Sequence, residues 1–500
     1  MRLLTLAQRL IRTKPTDGSD AQHEHSSGGL QRTLGLFSLS MIGVGATIGT
    51  GIFFTLAEAV PKAGPAVILA FLMAAVTAGL TALCYAELSF RIPAAGSSYS
   101  YAYATVGEFL AFVVAACLLL EYGLAASATS IGWSAYLNNF LTNAFGWSIP
   151  EVLRSPMIVA GVNGMEIHPG NFNLPPIILI AMCGALLVRG AQESSTANAV
   201  MVLIKLAILV FFCVVAVSGF HIENFTPFFN ADNAKGMAGM AGVTSAAGTV
   251  FFSFIGIDTV ATAGEEVRDP KRNVPRGILL ALGIVTVFYL LVAVIAVGAQ
   301  PAALFEGQEA GLSVILQNVT GKTWPALVLS AGAVISVFSV TLVTIYGQTR
   351  ILYAISRDGL VPALFQSVSI KSGVPVTNTV IVCLAVALVA GFVDAGFLWD
   401  MVSMGTLFAF IVVSVAVPVM RHKGIGADVT GFRVPFGPYI VPGLSIIACL
   451  YIMKDLSAMT YRVFLIWMAI ALVCYFFYGM RHSRLALAVV SKVAKRAAVL

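Results

Sequence analysis

Twelve apolar runs dominate this chain, most of them near the roughly 20 residues a helix needs to cross a bilayer. They cover about 34–60, 66–89, 109–133, 174–188, 195–218, 244–263, 277–299, 326–349, 375–393, 397–419, 436–453 and 462–480. Runs of this kind leave backbone polar groups in hydrocarbon, where a helix satisfies them internally. The expected fold is an all-α integral membrane protein with twelve transmembrane helices. Charged residues make up only 10% of the 500 residues, against roughly 25% in a typical soluble protein, and the mean hydropathy is +0.91. A soluble globule of this size could not cover its surface with so few charges. Soluble enzymes and nucleic-acid binders are thereby excluded. The seven cysteines all lie in apolar runs and form no C-x-x-C pair, so neither a disulfide framework nor a thiolate metal site is expected.

Lysine and arginine set the orientation. Of the 29 in the chain, only Lys62, Arg154, Lys235, Lys322, Lys454 and Arg462 fall on one side, and Lys205 lies inside a span. The other 22 fall in the two tails and the even-to-odd loops. An even span count with this split predicts a multi-pass protein of the cytoplasmic (inner) membrane with both termini in the cytoplasm. The start, MRLLTLAQRLIRTK, reads as a basic amphipathic segment and not as a cleaved signal peptide. Residues 15–30 are polar and Gly/Ser-rich, the composition of a disordered segment. The long loop at about 134–173 could carry structure of its own, and the basic C-terminal tail could lie on the membrane surface.

Two spans are interrupted by glycine. The first contains GVGATIGTGIF, with Gly43, Gly45, Gly49 and Gly51 close together. The sixth contains FFSFIGIDTVATAGEEVRDP, with Gly256 in its middle and Asp258 beside it. A dinucleotide fingerprint would need a strand before the glycines, which the flanks do not supply. A G-x-x-x-G packing face is the plain alternative for the first span. Interrupted spans at matching positions of two halves point instead to a transporter binding site. Five spans per half make the halves opposite in topology, which gives an inverted repeat of spans 1–5 and 6–10. The expected organisation is an N-terminal tail over 1–33, repeats over 34–218 and 244–419, two further helices over 436–480, and a C-terminal tail over 481–500. Free N–H groups near Thr50–Gly51–Ile52 suit a carboxylate. Free carbonyls near Phe252–Ser253–Phe254–Ile255 suit an ammonium group. Together they complement an α-amino acid, with Gly49 and Gly256 supplying the flexible backbone.

The strings GVGATIGTGIF, FFSFIGID with AGEEVRDPKRNVPRGI, LLLEYGLAASATSIGWSAYL, CYAELSFRIPAAGSSYSYAYATVGE and RILYAISRDGLVP resemble the cationic amino acid transporter family. That family lies within the amino acid–polyamine–organocation superfamily, and the resemblance covers nearly the whole chain. It implies a LeuT-like 5+5 inverted repeat with helices 1 and 6 broken, and proton-coupled amino acid uptake without a cofactor. It carries substrate binding onto Thr47, Thr50 and Gly51 and onto Phe252, Ser253 and Ile255. Ser253 and Phe254 stand where relatives often carry alanine and tyrosine, which bears on side-chain preference and not on backbone recognition.

Buried charges supply the remaining candidates. Lys205 sits about ten residues into the fifth span, roughly 15 Å from the nearer face at 1.5 Å per residue, too deep to snorkel. It is either a structural ion pair or a proton-coupling lysine. The resemblance favours coupling, with a lysine taking the place of a sodium ion beside helices 1 and 8. Glu121 in the third span is a structural hydrogen-bonder, a proton site or a partner for a cationic substrate side chain. Asp258 is a helix cap or a gate. Phe252 is packing or a thin gate over the substrate. Glu265, Glu266, Arg268 and Asp269 form either an inner-gate network or a solvated cluster. A membrane-embedded enzyme is disfavoured, because all six histidines lie outside the spans and no H-E-x-x-H, G-x-S-x-G or P-loop occurs. A channel, an exchanger and the choice between cationic and neutral amino acids stay open. The expected partners are a small amino acid, the proton and the lipid bilayer.

Overall fold

The computed structural model describes residues 10–14, 34–49, 51–92, 97–161, 164–190, 195–229, 239–262, 267–369, 374–427 and 431–486. Thr50, Glu265 and Glu266, residues 1–9 and the end of the C-terminal tail lie outside the described residues. The described residues are mostly helical. The first span is two helices, α1 (Leu36–Thr47) and α2 (Thr55–Ala63). A 3₁₀ turn at Gly64–Ala66 leads into α3 (Val67–Arg91). Then come α4 (Ser97–Thr105), α5 (Glu108–Phe145), α6 (Leu174–Val188) and α7 (Ser195–Ala216). The sixth span is again divided, into α8 (Gly239–Phe251) and the single turn α9 (Thr259–Thr262). The rest are α10 (Pro270–Ala299), α11 (Gly311–Thr320), α12 (Thr323–Arg357), α13 (Val376–Phe392), α14 (Ala395–His422), α15 (Ile440–Met453) and α16 (Ala458–Cys474).

Among the described residues, eight helical runs are long and apolar enough to cross a membrane, and four apolar helices are shorter. The shorter ones are α1, α6, α13 and α15. The third span runs further than its apolar stretch suggested, because α5 continues to Phe145 through Asn138, Asn139 and Asn143. Past it, the loop does carry structure. β1 (Ile158–Gly161) and β2 (Gly164–Ile167) form an antiparallel hairpin, with Ile158 opposite Ile167 and Gly161 opposite Gly164.

Packing sorts the helices into two groups. α10 packs on α3 and α1, and α8 packs on α2 and α3. α5 packs on α12 most extensively, and α6 packs on α13. α7 touches both groups through α1 and α12, while α14 lies along α5. Large apolar side chains face outward on the flanks, among them Val214 of α7, Leu384 and Leu388 of α13, and Leu465 and Ile466 of α16. This exposed apolar belt is what a hydrocarbon environment would cover.

One buried acid ties α3 to α14. Glu87 is fully buried and takes a two-pronged grip from Arg421, Nε to Oε1 at 2.7 Å and Nη2 to Oε2 at 2.5 Å. The Val434 N–H donates to Oε2 at 2.7 Å, and Arg91 Nε lies 3.3 Å from Oε1. Planar guanidinium and carboxylate match in such a pair. Removing one partner of a buried pair leaves an uncompensated charge. Glu87→Ala should therefore destabilise the protein by about 3–5 kcal/mol, read as a lower melting temperature of the detergent-purified protein. An unchanged melting temperature would contradict this role.

Candidate functional site at two crossed helix breaks

The two interruptions lie on each other. A Cβ at Gly51 would sit 1.9 Å from Ser253 Oγ and 2.3 Å from Ser253 Cα. A Cβ at Gly256 would sit 2.9 Å from the Ala46 backbone. Gly256 also has φ +99° and Gly49 has φ +136°, a region that disfavours L side chains. A glycine at position 51 could leave space for a ligand beside the first break. In the structure that space belongs to Ser253, so Gly51 is glycine because two backbones cross there. Across the same contact, the Thr55 and Ser253 hydroxyls lie 3.1 Å apart.

Breaking a helix frees backbone groups, and each needs a partner at this depth. Lys205 Nζ donates to Gly45 O at 3.0 Å, one of the carbonyls just before the first break. Lys205 is only 1% exposed. Val340 of α12 borders Gly49 on the same side, 2.7 Å from where its Cβ would be. The Tyr289 hydroxyl of α10 lies 2.8 Å from both Thr47 O and Ser253 O, stitching one break to the other. The Tyr136 hydroxyl donates to Phe53 O at 2.9 Å. Gly51 O accepts the N–H groups of Phe54 and Thr55, and Phe252 O accepts that of Ile255. Among the described residues no acceptor meets the N–H groups of Gly51, Ile52 or Phe53, and no donor meets the carbonyls of Phe254 or Ile255.

Beside the crossing lies a cavity with about 30 Å³ of water-accessible space, room for a water molecule or two. Glu121, Tyr122 and Ala125 of α5 line it together with Ala46, Phe252, Ile255, Gly256, Thr259, Val343 and Thr344. Glu121 is 2% exposed, and the Thr406 hydroxyl of α14 lies against its carboxylate. Asp258 stands nearby, its Oδ2 accepting from Ser97 Oγ at 3.1 Å and Tyr122 OH at 3.3 Å. Neither carboxylate has a lysine or arginine partner among the described residues. Phe252 also packs on Trp399 of α14, with ring centroids 6.2 Å apart. At the end of the bundle beyond those rings, burial and the charge of Glu58 push the Asp394 carboxyl up, while the Gly396 N–H donates to it at 3.1 Å.

Of the residues singled out from sequence, Phe252, Ile255, Gly256 and Glu121 line the cavity. Thr47, Gly49, Gly51 and Ser253 instead build the crossing beneath it. The Thr47 hydroxyl bonds within its own helix, to Gly43 O at 2.8 Å. Arg268 and Asp269 form no ion pair among the described residues. Arg268 N–H instead donates to Leu34 O, and Asp269 starts α10. Sequence reasoning missed Tyr289, Tyr136, Tyr122, Thr259 and Trp399. Thr259 was within reach, one residue past Asp258. The tyrosines sit in spans where an aromatic reads as packing.

Crossed breaks inside an apolar helical bundle define a multi-pass membrane transporter. The comparisons with known proteins give the family. The family model described as amino acid permease matches residues 34–482, and the chain belongs to that family. It is 40% identical over 481 residues to a methylthioribose transporter of Bacillus subtilis, covering 95% of this chain and 99% of that one. It is 39% identical to the branched-chain amino acid permease BcaP of Bacillus subtilis, covering 91% and 95%. It is 35% identical to the vacuolar cationic amino acid transporter 2 of Arabidopsis thaliana, covering 83% of this chain and 63% of the relative. The chain is thus a transporter and not an enzyme.

Tyr289→Phe tests the stitch. It removes the one hydroxyl proton that Thr47 O and Ser253 O share, a loss of about 1–3 kcal/mol for a buried polar group. Melting temperature should fall and substrate binding should weaken with it. Wild-type values of both would show that the hydroxyl does not hold the breaks together.

Proposed function

We propose that the protein is a secondary active carrier that takes up amino acids across the cytoplasmic membrane by proton symport and alternating access. The observation that carries this reading is the crossing of the two breaks. Among the described residues it leaves the N–H groups of Gly51–Phe53 and the carbonyls of Phe254 and Ile255 without a partner, within one small region. The first group suits the α-carboxylate and the second the α-ammonium. The ammonium acceptors are narrower than the whole 252–255 stretch, because Phe252 O and Ser253 O already accept hydrogen bonds. The side chain points toward the cavity beside them, which must widen to admit it, and Phe252 with Trp399 closes over it as a gate.

Twelve spans, read as a LeuT-like 5+5 inverted repeat over 34–218 and 244–419 with 436–480 appended, fit this function. The packing of α1, α2, α3, α8 and α10 apart from α5, α6, α12 and α13 supplies two bodies that could rock against each other. Both ends of the described chain reach one carboxylate, since Arg12 and Ser483 each donate to Glu108. An even number of crossings requires the two ends to share a face. The distribution of lysine and arginine makes that face cytoplasmic. Reporter fusions at Leu500 and within the 219–243 loop should then report opposite sides of the membrane. The same side for both would break the span count.

Lys205 carries the coupling in this reading. Its ammonium bridges α7 to the carbonyl freed by the break in α1. Loss of its proton takes the charge out of this bridge, weakens it and lets α1 move. Burial of this kind makes a lysine's charge sensitive to its surroundings. Lys205→Ala should lose gradient-driven accumulation in proteoliposomes while still binding substrate, because the binding groups are backbone groups on other elements. Continued accumulation with the outside acidified would make Lys205 structural.

A cationic substrate is a second reading, favoured by Glu121. This acid lines the cavity without a lysine or arginine partner among the described residues. The vacuolar relative is named for cationic amino acids, the nearer bacterial permease for branched-chain ones. Uptake of twenty labelled amino acids with an imposed pH gradient tests both. Glu121→Gln should abolish arginine and lysine uptake if the acid reads the side chain. Uptake of leucine that survives the substitution, with no arginine uptake in the wild type, would leave only the neutral reading.

A further inference from the structure

The face that carries both chain ends has a feature that binding and coupling leave unused. Residues 10–14 lie in a groove formed by α4, the start of α5 and the end of α12. The contacts are both backbone and side chain. Lys14 N–H donates to Tyr103 O at 3.1 Å, and Glu108 N–H donates to Arg12 O at 2.7 Å. Arg12 Nη2 donates to Glu108 Oε1 at 2.8 Å, and Lys14 Nζ to Asp358 Oδ1 at 3.1 Å. The groove floor is Gly107, where a Cβ would come within 2.9 Å of the Ile11 backbone. The floor is therefore shaped to the segment that lies on it.

Glu108 is a fully buried hub. Besides Arg12 it accepts from Tyr103 OH at 3.1 Å, Tyr475 OH at 3.2 Å and Ser483 Oγ at 2.5 Å. Asp358 accepts from Tyr99 OH at 2.7 Å. Tyr99 and Tyr103 both belong to α4. The first residue of the same helix, Ser97, donates to Asp258 beside the break in the sixth span. Ser97 has φ +51°, a left-handed conformation that a serine keeps only when its surroundings hold it there. α4 also packs on α9. It is a nine-residue lever, with the basic segment's two carboxylate partners gripping its flank and Asp258 held by its tip.

We propose that this groove is a docking site for a basic Arg-x-Lys segment, filled here by the chain's own residues 10–14, and that docking holds α4 against Asp258. Undocking frees α4, releases Ser97 from the carboxylate and loosens the inner part of the sixth span. The chain's N-terminus thereby controls how readily the site opens on the face where it is anchored. Only the transport arm of the test rests on the carrier reading.

Hydrogen exchange on the full chain tests the lever directly. In Arg12→Ala/Lys14→Ala, the amides of Tyr99–Thr105 and Gly256–Ala261 should exchange about tenfold faster or more, as expected when a cooperative unit loses its anchor. Faster exchange confined to residues 10–14 and the first turn of α5 would overturn the proposal. A charge swap covers the case in which the double variant misfolds. Lys14→Glu alone should give the same loss of protection, and Lys14→Glu with Asp358→Lys should restore it. A swap that folds but fails to restore protection would also overturn it. In proteoliposomes, Arg12→Ala/Lys14→Ala should speed counterflow of labelled L-leucine or L-arginine severalfold, and an unchanged rate would overturn the control of opening. Counterflow missing from the wild type as well would instead count against the carrier reading, leaving the exchange result to decide the lever.

Discussion

Unwound backbone in hydrocarbon must find partners for its polar groups, and the rest of this structure follows from how it does so. A free amide or carbonyl at that depth costs several kcal/mol, so a broken membrane helix persists only where other groups reach it. Lys205, Tyr289 and Tyr136 are among those groups. Lys205 brings a charge from α7 to Gly45 O. Tyr289 brings a hydroxyl from α10 to both breaks. Among the described residues they leave the N–H groups of Gly51–Phe53 and the carbonyls of Phe254 and Ile255 without a partner, and these are the groups to which we assign the ligand. A residue that would otherwise be an expensive buried cation is thus part of the scaffold, whatever further role its proton has.

The crossing explains why the glycines are where they are. Gly256 combines a positive φ with the backbone of Ala46 only 2.9 Å from where a Cβ would sit, and Gly51 lies directly against Ser253. Either constraint excludes a side chain. The two halves of the chain are therefore locked together at the point where their helices are weakest.

Much of this could be read from sequence, for identifiable reasons. Helix breaks are local events, and clustered glycines in an apolar run announce them. The helical, membrane-spanning character of the chain comes from the length and composition of its apolar runs, which are also local. The partners of the broken backbone are long-range. Tyr289 stands 242 residues from Thr47, and nothing in the run 277–299 marks it out from a packing aromatic. The hub at Glu108 joins residues 96 and 375 positions away. The helix α4 forms from SSYSYAYAT, a polar stretch with no apolar periodicity, so its stability comes from the carboxylates and helices it touches and not from its own pattern. The family resemblance supplied expectations for the site, and the structure divides them between cavity lining and crossing contact.

The central claim is that the crossed breaks recognise both ends of an α-amino acid through backbone groups. Binding to the purified protein tests it most directly, by calorimetric titration with free L-leucine and L-arginine beside their N-acetyl methyl esters. The account predicts that at least one free amino acid binds and that its masked form, having lost both charges, does not. Equal binding of free and masked ligands would contradict it.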